Sequence, residues 1–315
     1  MRTRRVVRVV VGVCALALAA CGRESESGAS TQPAIEILPG TDIWLADLRP
    51  GEGGRLGLIG LKNITHRPGY DNQPFFTPDG GAILYTAMDD AGQADTWRYD
   101  IAADSAVQVT HTAPESEYSP TPMPSGSGFS AVRVEADSTQ RLWRFDSTGE
   151  HPSLLLTDVE PVGYHTWVDD STVVLFVLGS PPTLQVADLA TGSSIVRAKN
   201  IGRSLNRIPG THDVSFVQRV SDDEAWITRL DPSTGATERL VRAVDGGDFH
   251  AWAPDGTLLM ASGGRIYTWK PGTEDWIEGV DLSALGLSLS RIAVSPAGDR
   301  IALVAEAAEA PAEAP

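Results

Sequence analysis

Two motifs that each recur six times, and that begin out of phase with one another, predict an all-β fold: a six-bladed β-propeller closed by N-terminal strands joining the C-terminal blade. The first motif is strand, tight turn, strand. It is clearest at Phe76-Thr77-Pro78-Asp79-Gly80, followed by the apolar run Ala82–Tyr85, and at Trp252-Ala253-Pro254-Asp255-Gly256, followed by Leu258–Met260. A third copy runs Val294-Ser295-Pro296-Ala297-Gly298 into Ile301–Val304, and degraded copies centre on Pro122, Trp167 and Arg207. The equivalents of Phe76 are spaced 40 to 46 residues apart, the length of one four-stranded blade. Proline fixes φ, aspartate bonds its own backbone and glycine accepts a positive φ, so Pro-Asp-Gly reverses the chain between a blade's two inner strands.

The second motif is a strand ending in aspartate: Asp42–Asp47, Thr96–Asp100, Leu142–Asp146, Leu184–Asp188 and Ile227–Asp231, with Ile266–Lys270 as its last copy. One position before each terminal residue stand Ala46, Tyr99, Phe145, Ala187, Leu230 and Trp269, and three before it Trp44, Trp97, Trp143, Gln185, Thr228 and Tyr267. Alternation with period two marks half-buried strands, and these aromatics are expected in the core. The aspartates are expected to form turns. A calcium loop needs several oxygens converging within a dozen residues, and single carboxylates do not supply them.

The Asp-terminated strand comes first in the chain and the turn motif comes last. A ring closed by both ends solves this: residues 42–66 supply the outer strands of the blade whose inner strands are 290–305. Closure removes exposed sheet edges. With Phe-Thr-Pro-Asp-Gly at 76–80 and Trp-Ala-Pro-Asp-Gly at 252–256, residues 41–305 resemble the TolB-like propellers built from PD40 (WD40-like) repeats. TolB carries a separate α/β domain ahead of its propeller; here only a short stretch precedes Asp42, which weakens any inference of a role with the Tol machinery.

The ends of the chain read differently. Arg2, Arg4, Arg5 and Arg8 precede an apolar stretch from Val9 to Ala20, too short for a bilayer span but suited to an export signal. The stretch ends Leu18-Ala19-Ala20-Cys21, which resembles the lipobox of bacterial lipoproteins. That resemblance implies a signal peptide over residues 1–20 and lipidation of Cys21. Gly22, rather than the aspartate that would suggest inner-membrane retention, follows the cysteine, so the protein is expected at the outer membrane, facing the periplasm. Residues 21–40 are expected to form a tether and 306–315 (EAAEAPAEAP) a disordered tail.

Composition excludes several classes. With Lys+Arg 25 against Asp+Glu 41, the net charge is −16, which repels phosphate backbones and argues against nucleic acid. Two cysteines, one within the signal, exclude a disulfide scaffold and a thiolate zinc site. No Gly-x-Ser-x-Gly elbow, His-Glu-x-x-His or Walker A loop occurs.

The candidate site is the mouth of the central channel, where residues leading into each inner strand converge. In register these are Asp71, Asn72 and Gln73; Glu117, Tyr118 and Ser119; Tyr164 and His165; Arg203 and Asn206; Asp248 and His250; and Arg291. His165 and His250 are equivalent, two before Trp167 and Trp252. Two imidazoles with carboxylates around one axis would bind a metal or polar ligand; the reading favoured is that each bonds the neighbouring blade's backbone and packs on its aromatic. Arg203, Arg207 and Arg291 are expected to pair with the carboxylates. The expectation is a monomeric, cofactor-free and metal-free platform for a partner protein or extracellular ligand, on a lipid anchor. The alternative is a carbohydrate-active lyase or hydrolase using the channel histidines and carboxylates.

Overall fold

The computed structural model describes residues 40–306; the signal peptide, Cys21 and the residues of the tail after Glu306 lie outside them. The chain enters through β1 (Thr41–Pro50) and β2 (Leu56–Asn63). Five hairpin-connected blades follow. Blade I holds β3 (Asp71–Phe76), β4 (Ala82–Met88), β5 (Ala94–Asp100) and β6 (Ser105–Gln108); blade II holds β7 (Ser116–Pro122), β8 (Phe129–Val134), β9 (Gln140–Phe145) and β10 (Ser153–Leu154). Blade III is β11 (Val162–Trp167), β12 (Thr172–Val177), β13 (Thr183–Asp188) and β14 (Ser193–Lys199). Blade IV is β15 (Ile201–Arg207), β16 (Val214–Arg219), β17 (Ala225–Leu230) and β18 (Thr237–Arg242). Blade V is β19 (His250–Trp252), β20 (Leu258–Ser262), β21 (Arg265–Trp269) and β22 (Ile277–Asp281). β23 (Ser288–Val294) and β24 (Arg300–Glu306) complete blade VI by joining β1 and β2 in the order β2-β1-β24-β23.

Closure rests on an antiparallel register from Thr41↔Glu306 to Asp47↔Arg300. Thr41 also ties blade VI to blade I: its amide donates to the Gly69 carbonyl at 3.0 Å and its hydroxyl to the Asp71 carbonyl at 2.9 Å. The first strand of every blade touches the first strands on either side, through the ring β23-β3-β7-β11-β15-β19 and back to β23.

Burial explains the composition of each layer. Second strands such as Ala82–Ala87 and Val173–Val177 are buried at every residue, because both faces press against neighbouring blades. Third strands alternate: Ala46, Tyr99, Phe145, Ala187, Leu230 and Trp269 are all buried, whereas Trp44, Trp97 and Trp143, expected in the core, are only half-buried beside it. Fourth strands such as β6 face solvent. One apolar cluster fills each of the six blade interfaces.

The turns form as their residues dictate. Gly80 and Gly256 sit at φ 68° and 81°. Asp146, Asp188 and Asp231 each accept a backbone N–H two residues on, the turn role expected of them. Gly128, at φ 142°, leaves no room for a side chain, since an added Cβ would meet the Phe145 carbonyl oxygen at 2.1 Å. Gly128→Ala is therefore expected to cost about 1–3 kcal/mol from backbone strain alone, measured by urea unfolding at unchanged slope.

Candidate functional site

The six first strands present their side chains to the axis in layers, and five of them (β3, β7, β11, β15 and β23) carry a bulge near the same level. A bulge re-aims side chains and interrupts pairing. Gln73 and Ser119 sit there with φ of 59° and 55°, and the Gln73 Oε1 accepts the Ser119 amide at 2.7 Å. In the same layer stand Tyr164, Ser204, Phe249 and Arg291.

Blades III and VI are three steps apart in either direction, so Tyr164 and Arg291 face each other across the axis. They meet. The Arg291 Nη2 donates to the Tyr164 hydroxyl at 3.0 Å, and the guanidinium lies 3.7 Å from the Phe249 ring centroid and 5.0 Å from that of Tyr164. Tyr164 also meets Phe249 edge to face at 6.4 Å. Burial alone would raise the Tyr164 phenol; the positive charges of Arg291 and Arg203 outweigh it and hold the group below its ordinary value.

From this strut to the turns at the strand ends runs a cavity of about 430 Å³. Its wall is apolar and aromatic, with Phe76, Trp167 and Trp252 below a rim of turn prolines, Pro124, Pro209, Pro254 and Pro296. Among the described residues its charged lining is Arg203, Arg207 and Arg291, with no aspartate or glutamate. In a chain of net charge −16 this is a local inversion of sign.

The histidines of the candidate set line the cavity but are held between blades. The His165 Nε2 and the Ser130 hydroxyl of blade II lie 2.7 Å apart, and the Trp167 indole N–H donates to the same hydroxyl at 2.9 Å. His250, Trp252 and Ser215 of blade IV repeat this at 2.7 and 2.8 Å. Each imidazole thus bonds the preceding blade's serine hydroxyl, not its backbone. Burial pulls both down to about 3, so both are neutral at physiological pH. They engage separate serines in separate interfaces, and both Nδ1 atoms are buried without a partner.

The carboxylates sit elsewhere. Asp71 and Glu117 are fully buried at equivalent positions behind the channel wall. Asp71 accepts from Arg67 at 2.6 Å; Glu117 accepts from the Thr112 hydroxyl at 2.6 Å and lies 3.4 Å from the Arg133 Nε. Burial pushes Asp71 up to about 6 against the pull of Arg67, and Glu117 up to about 7 against Thr112, Thr110 and Arg133. Asp248 pairs with Arg219 on the surface at 2.5 Å, outside the cavity. The expected pairing of Arg203, Arg207 and Arg291 with these acids does not form, because Arg67, Arg133 and Arg219 take them. Arg207 instead donates to the Thr211 carbonyl at 3.0 Å.

Of the remaining candidates, the Asn72 Oδ1 accepts the Gln73 amide, Tyr118 packs in the interface between blades II and III, and Asn206 donates to the His250 carbonyl at 2.7 Å. The channel therefore gathers Tyr164, His165, Arg203, Asn206, His250 and Arg291, and leaves Asp71, Asn72, Glu117, Tyr118 and Asp248 off its wall. Ser130 and Ser215 escaped the sequence reading. Their signal was a lone serine in an apolar second strand, 35 residues before each His-x-Trp.

No group of three or more His, Cys, Asp or Glu suited to a metal ion occurs among the described residues. No family model matches the sequence, and no curated protein matches it. Solved structures do. A chain from Agrobacterium tumefaciens assigned as TolB superposes with a TM-score of 0.68 at 15% identity, covering 85% of this chain and 98% of that one. TolB from Acinetobacter baumannii gives 0.55 at 14% identity, covering 85% of this chain and 64% of its own. A chain of a nidogen/laminin complex gives 0.61 at 10% identity, covering 84% and 98%. Oligogalacturonate lyase in complex with manganese gives 0.52 at 17% identity, covering 83% and 78%. At such identities the likeness is one of fold: six-bladed propellers of the TolB, PD40-repeat kind, some of them enzymes and some not.

Proposed function

We propose that this protein is a lipoprotein of the bacterial cell envelope whose propeller binds a partner protein or an extracellular ligand at its channel, without turnover. The observation that carries this reading is the cavity itself. It is shaped and largely apolar, holds fixed donors at its inner end, and among the described residues has no carboxylate on its wall. Turnover by a channel histidine would need a competent base, and burial pulls His165 and His250 down to about 3, with Nε2 held to Ser130 and Ser215 and Nδ1 buried. The carboxylates that a lyase or hydrolase would use, Asp71 and Glu117, are paired behind the wall.

Topology fits an anchored platform. β1 begins and β24 ends at one face, while the cavity reaches the turns, including Ser295 and Pro296, at the other. An anchor at Cys21 would hold the first face toward the membrane and leave the proline-rimmed mouth pointing away from it. No helix among the described residues is long and apolar enough to cross a membrane, and one acyl chain gives only marginal binding, so stable attachment takes several.

The test is metabolic labelling of the full chain with palmitate in a bacterial host, followed by envelope fractionation. Label is expected on the wild type and absent from Cys21→Ser, which should leave the membrane fraction. Equal partitioning of both forms would refute the anchor. Incubation of the purified full chain with envelope glycans should return them unchanged in mass; cleavage or a new unsaturated end would revive the enzyme reading.

A further inference from the structure

In an acidic protein, Arg291 and Arg203 have no ion-pair partner among the described residues, at the inner end of a cavity whose other charged lining residue is Arg207. Among the described residues Arg291 makes its polar contact with Tyr164 and otherwise rests on aromatic faces, and Arg203 is exposed without an ion-pair partner. The carboxylates that could neutralise them are taken by Arg67, Arg133 and Arg219. The Tyr164 hydroxyl accepts the Arg291 hydrogen bond at this level. The guanidinium N–H groups at this level can only donate, and the buried Ser119 hydroxyl, without a partner among the described residues, can donate as well.

We propose that Arg203, Arg291 and Tyr164, which line the cavity together, form an anion site that receives a carboxylate, with the ligand's apolar body lying against the aromatic and proline wall. The inference rests on the reading of the channel as a binding site and adds the chemistry of what it binds. A planar carboxylate matches the guanidinium fork, two parallel hydrogen bonds per arginine, in a way that a lysine point charge does not. Stacking on Phe249 holds the Arg291 plane fixed, so little freedom is lost when the ligand arrives. The wall selects for the rest of the molecule. Phe75 lies 42% exposed at the cavity, with Trp167, Trp252 and the turn prolines beyond it, a surface that suits an organic acid better than a strongly hydrated inorganic anion. A cavity of about 430 Å³ has the size of a small-molecule site. The same chemistry is carried by a free small carboxylate and by the C-terminal end of a peptide chain.

Isothermal titration of the purified full chain distinguishes them, using N-acetyl-phenylalanine, its amide, the peptide acetyl-Ala-Pro-Phe with a free carboxylate, and sodium sulfate. The expected result is binding of N-acetyl-phenylalanine that weakens at least tenfold for the amide, for Arg291→Gln and for Arg203→Gln, but not for Arg219→Gln outside the cavity. Arg203 is exposed, so its replacement reports on the site even if Arg291→Gln disturbs the strut and the fold. Tighter binding of the peptide than of the single residue assigns the site to a chain end; equal or weaker binding assigns it to a free acid. Equal affinity for acid and amide, insensitivity to both arginine variants, or equally strong competition by sulfate would overturn the proposal. Mass spectrometry of the recovered probe separates the two failures: a chemically altered probe sinks the reading of binding without turnover and leaves the anion site standing.

Discussion

Ser215→Ala is expected to lower the melting temperature by roughly 5–15 °C, although it removes a single oxygen. That hydroxyl accepts from the Trp252 indole at 2.8 Å and bonds the His250 Nε2 at 2.7 Å, in an interface where His250 is 2% exposed and Trp252 is 9% exposed. Alanine leaves both buried nitrogens without that partner. Each buried polar group so orphaned costs about 1–3 kcal/mol, hence about 2–6 kcal/mol together, and a domain of this size loses roughly 2–4 °C per kcal/mol. Ser130→Ala should behave alike, since Trp167 and His165 use it in the same way between blades II and III. The two sites share no partner, so the double variant should lose the sum. Calorimetric melts of the three variants provide the measurement; a shift below about 3 °C in either single variant would mean that the latch contributes little.

The latch also marks what could and could not be read from the chain. Blade number and closure were legible because they are written in local, repeated chemistry: Pro-Asp-Gly turns whose glycines need positive φ, and strands ending in an Asp that caps its own turn. Their phase alone required Asp42–Asp47 to join Ile301–Val304, and β1 pairs with β24 as that phase demands. The occupants of the channel were legible too, for Tyr164, His165, Arg203, Asn206, His250 and Arg291 all reach its wall. What failed was pairing. Ser130 binds His165 across a blade interface, and Arg291 reaches Tyr164 across the axis. Such contacts depend on how the ring closes and leave no local spacing to recognise. Asp71 and Glu117 were assigned to the mouth for the same reason: strand bulges near the next residues turn Gln73 and Ser119 to the axis and leave the acids behind the wall.

Those two acids and the two histidines give the protein an unusual response to pH. Asp71 and Glu117 have folded-state values raised to about 6 and about 7, so the fold prefers them protonated. Their stabilising contribution is complete below the unfolded values and is lost as pH rises through 6 and 7. His165 and His250 are depressed to about 3. Their contribution is complete above the unfolded value of 6.5 and is lost as pH falls toward 3. Between pH 8 and 5 the carboxylates should add, and the histidines remove, on the order of 4 kcal/mol each as pairs, at about 1.4 kcal/mol per unit and proton. These terms oppose one another, so the wild type should be nearly level across this range and fall steeply only below about pH 4.5, where the carboxylate gain saturates while the imidazoles still resist charging. Asp71→Asn with Glu117→Gln removes one side of the balance. That variant should lose on the order of 4 kcal/mol from pH 8 to 5 in excess of the wild type. The slope, not the absolute stability, is the readout, because Arg67 and Arg133 lose their partners at every pH. Urea unfolding at half-unit pH steps would measure it. Parallel profiles for the variant and the wild type would show that the buried carboxylates do not offset the histidines.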